Sequence, residues 1–276
     1  MFKVILLCVC ITFSFSKEIV GYGGTFAQNF MSEFKSIYES STGDKLTYKS
    51  IGSLGAIKQL RLKRSNFAIS DINSSYMNYD GFVVKPILSG NITISYNLED
   101  THTLNLTPEI IGKIYEGDIQ FWDDELIAKL NPELNLKHEN IAVLHRYDGS
   151  GTTFNFTKFI SLHYKEWNLG ANEFINFKVG VGKKGNESIA ETIKNTPNSI
   201  GYVAYPDAKT YGLKSANLVL NSKVFTPNST SYPIKNYTFF IFKQNDNSAK
   251  KFLNFIYKNA ESITKNSAYE LVIEQK

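Results

Sequence analysis

Strand-like and helix-like segments alternate along almost the whole chain, and this alternation limits the fold more than any other feature. From Thr25 to Tyr38, the apolar residues Phe26, Phe30, Phe34 and Ile37 recur at helical spacing. Leu46 to Ser50 alternates as a strand does, Leu54 to Leu62 patterns as a short helix, and Phe67-Ala68-Ile69 reads as a short buried strand. Phe82 to Asn97 is rich in Val and Ile and reads as extended. Thr107-Pro108-Glu109 predicts a helix start with Thr as cap and Pro at the first helical position, and Gly117 is its stop. Asp123 caps a second helix that ends before Asn131-Pro132. A strand over Ile141 to Leu144 leads through a Gly-rich turn into a helix reaching Leu162. Helix over Glu187 to Lys194, strands over Ile200 to Tyr205 and Tyr237 to Phe242, and a closing helix over Ser248 to Ala260 complete the pattern. The expectation is an α/β protein with largely parallel sheets. Periodicity alone leaves the number of sheets open.

The first residues do not belong to that pattern. Lys3, the apolar run Val4 to Phe15 and the small residues of Ser14-Phe15-Ser16 have the order of a secretory signal, with cleavage expected after Ser16. The run is too short to span a bilayer, which takes about 20 residues. Both cysteines, Cys8 and Cys10, fall inside it, so the mature chain is expected to carry no disulfide and no thiol chemistry.

Composition and charge remove several classes of function. With 276 residues, 42% of them hydrophobic, the chain can bury a sizeable core as one large domain or two modest lobes. The net charge of +4 is spread out rather than gathered into an Arg-rich stripe, so no nucleic-acid footprint is expected. The histidines His102, His138, His145 and His163 are isolated, and no metal is expected. Gly180-Val181-Gly182-Lys183-Lys184-Gly185 has the spacing of a dinucleotide fingerprint but lies late in the chain, and Asn186 stands where a P-loop needs Lys. His145, Asp148 and Ser150 suggest a hydrolytic trio, yet no nucleophile-elbow pattern surrounds Ser150, and no catalysis is expected.

Four segments share a different chemistry. They are Gly21 to Phe26, Ile51 to Gly55, Ser70-Asp71, and Arg146 to Thr152, each read as a Gly or Ser/Thr turn opening into a helix. Glycine lets backbone approach a ligand closely. A helix N-terminus presents unpaired N–H groups and partial positive charge. Hydroxyls add donors, and the guanidinium of Arg146 adds a cationic fork suited to an oxyanion. Together these segments describe an anion cradle built from several loops.

At these residues the chain resembles the bacterial periplasmic phosphate-binding proteins that feed the phosphate ABC importer. Collinear matches run through Gly21 to Phe26, Tyr48 to Leu60, Ser70-Asp71, Leu106 to Leu136, Ile141 to Thr153, Gly182 to Ala190 and Ser199 to Tyr205. Asp148-Gly149-Ser150-Gly151-Thr152 is the most telling of them. The resemblance implies phosphate contacts from Thr25, the Phe26 N–H, Ser53, Asp71, Arg146, Ser150, Gly151 and Thr152, with Asp148 orienting Arg146. Leu54, Ala56 and His145 depart from the family pattern, and Tyr211 to Tyr232 is shorter than in longer members.

The resemblance further implies two α/β lobes of the type II-like binding-protein kind, each a mostly parallel sheet flanked by helices, with the ligand cleft between them. The lobes are placed at 17–98 plus 223–276, and at 99–222. The implied function is capture of inorganic phosphate in the periplasm, as a monomer without cofactor, for an inner-membrane ABC permease and its ATPase. A binding protein for another tetrahedral oxyanion such as sulfate, and a surface-displayed phosphate-binding relative without a transport role, stand as alternatives.

Overall fold

In the computed structural model, residues 16–72, 80–101, 103–265 and 267–273 are described. The signal expected over 1–16 with its two cysteines therefore lies outside them except for Ser16, as does His102. The chain opens with β1 (Glu18–Gly23), α1 (Gln28–Thr42), β2 (Lys45–Ser50), α2 (Ser53–Arg61) and β3 (Phe67–Ser70), then the long β4 (Phe82–Asn97). Next come β5 (Asn105–Leu106), α3 (Pro108–Glu116), α4 (Glu125–Leu130), β6 (Ala142–Arg146), α5 (Gly151–His163), β7 (Val181–Lys183), α6 (Gly185–Asn195), β8 (Ser199–Ala204) and α7 (Tyr205–Tyr211). The short strands β9 (Lys214–Ser215), β10 (Asn217–Leu220) and β11 (Lys223–Phe225) lead into β12 (Lys235–Lys243). Helices α8 (Asn247–Asn259) and α9 (Glu261–Thr264) and strand β13 (Tyr269–Leu271) close the fold.

The main sheet runs β2-β1-β3-β12-β4-β8-β6-β7, with β9 and β13 also on β4, and a small sheet β11-β10-β5 beside it. Strands β2, β1 and β3 are mutually parallel, and so are β8, β6 and β7. Between these parallel groups stand two antiparallel crossings. The first part of β4, Phe82 to Asn91, pairs β12, and its last part, Ile92 to Asn97, pairs β8. One strand thus serves two parallel arrays, which is the two-lobed α/β arrangement expected from the sequence.

Local chemistry explains the boundaries. The Thr107 hydroxyl accepts from the Ile110 N–H at 3.2 Å and caps α3, and Gly117 ends that helix at φ 88°, both as expected. The second cap is Asp124 rather than Asp123, its carboxylate accepting from the Leu126 N–H. Asp123 instead faces His138 at 3.0 Å, so that histidine is paired and not isolated. Strand β8 stops one residue before the expected Tyr205 because Pro206 fits the first turn of α7.

The core follows the apolar stripes. Phe30 and Phe34 of α1 stack at 5.5 Å, and Phe34 meets Phe252 of α8 edge-on at 6.0 Å. Tyr202 of β8 stacks on Phe156 of α5 at 4.3 Å, beside Tyr115 of α3. Each such ring contributes about 2 kcal/mol by leaving water. Tyr202 also carries a hydroxyl that reaches the functional cleft.

Candidate functional site

Five strands of the two parallel groups end at one place. Beyond the carboxyl ends of β1, β2, β3, β6 and β7 lie Gly24-Thr25, Ile51-Gly52-Ser53, Asp71, Tyr147 to Ser150 and Lys184-Gly185. Ligands of open α/β sheets sit at such strand ends, where loops are free of ladder duties. The first expected segment needs correction: Gly21 to Gly23 are strand, and only Gly24 turns before a 3₁₀ turn over Thr25–Ala27 leads into α1. The glycines at 21 and 23 pattern as loop in the sequence but stand within β1. The helix expected after Ser70-Asp71 falls on 73–79, outside the described residues.

Arg146 anchors the site. It ends β6, is 2% exposed, and its backbone N–H donates to the Tyr202 hydroxyl at 3.0 Å. Asp148 grips its guanidinium on two sides, Nε to Oδ1 and Nη2 to Oδ2, both at 2.6 Å. That fork leaves Nη1 to point across the cleft, where it donates to Thr25 Oγ1 at 3.2 Å and to Asn186 Oδ1 at 3.3 Å. A bidentate pair fixes orientation as well as charge. The trio His145, Asp148 and Ser150 forms no catalytic relay, because Asp148 faces Arg146. His145 Nδ1 lies 3.2 Å from the Arg146 carbonyl oxygen, and burial lowers its pKa.

The remaining expected residues lie at the same strand ends and helix starts. Ser150 caps α5, its Oγ accepting from the Thr153 N–H at 3.1 Å, and Gly151 and Thr152 form the first turn. Thr152 Oγ1 accepts from Asn186 Nδ2 at 3.2 Å. Ser53 opens α2, and its Oγ accepts from the Asp71 N–H at 3.1 Å. Phe26 is fully buried, its ring packed on Tyr269 and its carbonyl accepting from the Tyr269 hydroxyl at 2.6 Å. Its N–H lies in the first turn after Gly24, where a helix leaves donors without an internal partner.

The two halves touch. A Cβ on Gly151 would stand 2.4 Å from the Asp71 Cβ, and one on Gly52 would stand 2.9 Å from the Gly149 carbonyl oxygen. A Cβ on Gly24 would meet Asp71 Oδ2 at 2.8 Å and Ser53 Oγ at 2.9 Å. Glycine at these points is what lets backbone close onto backbone.

Asp71 is 5% exposed, and burial raises its pKa from 3.8 to about 6. Hydrogen bonds from Thr238 and Asn236 and the charge of Arg146 oppose that rise. Two of these neighbours, Thr238 and Asn236, and Asn186 beside Arg146 are absent from the expected site. Asn186 stands where a P-loop needs Lys, yet it lies in the first turn of α6 and its amide joins Arg146 to Thr152. Thr238 and Asn236 lie on one face of β12, both fully buried around half-exposed Tyr237. The alternation Asn-Tyr-Thr was the available signal, since two polar residues facing inward on a strand require partners. Among the described residues, no group of three or more His, Cys, Asp and Glu could hold a metal ion.

The profile of the PBP superfamily domain matches residues 15–260. The chain belongs to the PBP superfamily. Within it, a relative called phosphate-binding protein PstS, from Haemophilus influenzae, is 36% identical over 203 residues, covering 71% of this chain and 61% of that protein. A PstS of Xylella fastidiosa is 36% identical over 194 residues, covering 68% and 53%. The matched stretch thus spans between half and two thirds of those relatives' length. A candidate phosphate ABC transporter substrate-binding protein of Clostridium perfringens, solved with bound phosphate, superimposes with a TM-score of 0.73. It shares 19% identity, with 94% of this chain and 100% of that one covered. An ABC-type phosphate transport receptor of Vibrio cholerae gives 0.63 at 16% identity, covering 90% and 98%. These structures share the fold of the present chain.

Proposed function

We propose that this chain captures inorganic phosphate between its two lobes and delivers it to an ABC importer composed of a membrane permease and its ATPase. The observation that carries the reading is the junction of Arg146, clamped by Asp148, with Thr25, Ser53, Asp71 and the first turn of α5. Arg146 supplies fixed positive charge, while Thr25, the Phe26 N–H, Ser53, Ser150, Gly151 and Thr152 supply hydrogen-bond donors. An ionised Asp71 is an acceptor only. Phosphate keeps at least one O–H near neutral pH and can donate to it, whereas sulfate has no proton to give and would set two acceptors face to face. The site therefore favours phosphate over sulfate. The names of the PstS relatives support the same substrate.

The lobes in this reading are 17–98 plus 223–276 and 99–222. Strands β1, β2, β3, β4 and β12 fall in the first and β6, β7 and β8 in the second, and the last part of β4 pairs β8 across the boundary. A ligand touching both lobes favours their closure through its differential affinity for the closed form. The protein would act as a periplasmic monomer exported by its N-terminal signal. The decisive experiment is calorimetric titration with phosphate and with sulfate at pH 7. Tight phosphate binding with a large preference over sulfate is expected. Equal affinities, or no heat with phosphate, would overturn the assignment.

A further inference from the structure

A chain of hydrogen bonds, part-buried at Asn155 and buried from Asn236 onward, leads to Asp71, and its polarity is set at one end. The Gly151 carbonyl oxygen can only accept, so the Asn155 side chain of α5 must turn its amide nitrogen toward it, at 3.0 Å. The same Asn155 Nδ2 donates to Asn236 Oδ1 at 2.8 Å. Asn236 is thereby oriented with its own amide nitrogen toward Thr238 Oγ1, at 3.3 Å. With its lone pair so engaged, the Thr238 hydroxyl donates to Asp71 Oδ1 at 2.7 Å. Neither Asn236 nor Thr238 can reverse without leaving a buried polar atom unpaired, which costs about 1–3 kcal/mol.

The strand geometry is built for this contact. The pairing of β12 with β4 slips by one residue between Thr238 and Phe239, where Phe239 faces Pro86 and Thr238 faces Leu88. Proline cannot donate to the ladder, and a bulge re-aims the side chain beside it. Phe239 pairs Ser70, so Thr238 stands one step past the end of β3, level with Asp71.

We propose that Thr238, oriented by Asn236 and Asn155, is the positioning residue that makes Asp71 discriminate between phosphate and sulfate. It occupies Oδ1 as a donor, so that Asp71 meets the ligand as an ionised acceptor through Oδ2, the oxygen that faces Gly24 and Ser53. This rests on the reading of Asp71 as the residue that senses the phosphate O–H. Without Thr238 the buried carboxyl takes up a proton more readily. A protonated Asp71 is itself a donor, which sulfate can use. The other groups around Asp71 are Asn236, whose side chain also holds its pKa down, Arg146, Tyr48 and Tyr269. Burial raises both tyrosines, so they stay neutral, and arginine stays charged across the pH range concerned.

The test is calorimetric titration of the whole protein with phosphate and with sulfate from pH 5 to 8. In Thr238→Val the preference for phosphate at pH 7 should fall about tenfold, mainly through tighter sulfate binding, as expected for loss of one hydrogen bond to a charged group. The pH below which the preference fades should also move up. Thr238→Ser, which keeps the hydroxyl, should restore both. Asn155→Ala, which removes the orienting donor without touching Asp71, should shift both in the same direction by less, and it decides the matter if Thr238→Val does not fold. An unchanged preference and an unchanged pH midpoint in these variants, with Asp71→Asn collapsing the preference, would overturn the role of Thr238 alone. An unchanged preference in Asp71→Asn would overturn the reading of the site beneath it.

Discussion

Replacing Asp207 by Asn should stabilise the phosphate-free protein at neutral and alkaline pH. Asp207 lies in α7, is 3% exposed, and has its pKa raised from 3.8 to about 7, by burial first and by the nearby Glu187 second. Asn29 of α1 donates to its Oδ1 at 3.3 Å, while Oδ2 has no hydrogen-bond partner among the described residues. Gln28 Oε1, also unpartnered there, lines the same cavity of ≈ 590 Å³, together with Thr25, Ser50 and Glu187. A carboxyl with a higher pKa in the native state than in the unfolded chain holds more protons when folded. Its contribution is therefore complete below about pH 4 and is lost as pH rises through about 7. Three units at 1.36 kcal/mol each set a ceiling of about 4 kcal/mol, and relaxation of the site reduces the expected effect to about 2 kcal/mol. An amide keeps the shape and does not ionise. Urea unfolding at pH 5 and pH 8 measures the effect. Wild type should lose stability between these values, partly through Asp71, which shifts in the same direction. The difference between wild type and Asp207→Asn isolates Asp207, and it should favour the variant by about 2 kcal/mol more at pH 8 than at pH 5. A variant that is no better placed at pH 8 than at pH 5 would refute the claim that ionised Asp207 is buried at a cost.

Arg146→Ala should weaken phosphate binding by about 2–5 kcal/mol, as for loss of a buried charged partner, and near-normal calorimetric affinity would mean that the site lies elsewhere. Asp148→Asn should cost less in the same titration, because it loosens Arg146 without removing it, and a loss equal to that of Arg146→Ala would contradict an orienting role. Gly151→Ala would place a methyl 2.4 Å from the Asp71 Cβ. It should lower phosphate affinity about tenfold or more by holding the lobes apart, and small-angle scattering should show a larger radius with phosphate than wild type has. Gly117→Ala forces a side chain into φ 88° and against Val179 Cγ1 at 2.7 Å. It should cost about 1–2 kcal/mol in urea unfolding with phosphate affinity intact, and an unshifted midpoint would refute the strain argument.

The parts of the fold that were legible in the sequence are those where one short stretch contains its own reason. Thr107-Pro108 and Gly117 bound α3 by local capping chemistry, and Phe82 to Asn97 reads as extended along its full length because nearly every second residue is apolar or β-branched. The grip of Asp148 on Arg146 is instead what the family resemblance implies, and the structure shows it as a two-point contact. Strand β1 was not legible, because its glycines at 21 and 23 are required by neighbours distant in sequence. A Cβ at Gly21 would strike the Phe67 ring at 2.0 Å, and one at Gly23 the Tyr48 hydroxyl at 1.8 Å. What looks like a flexible loop is a strand pressed between its neighbours' aromatic side chains.

The same distinction separates the first ring of the site from its support. Hydroxyls and glycines at loop-to-helix junctions announce themselves, because the residue types are rare together and the helix start is readable. Thr238 and Asn236 do not, because nothing within β12 says that its inward face meets Asp71, 167 residues away for Thr238. That meeting depends on β12 lying between β3 and β4, and on a slip in register opposite Pro86. The first ring is thus written locally and its electrostatic tuning is written in topology. A relative could keep every loop residue of the cleft and still alter its choice of anion through a single change on the crossing strand.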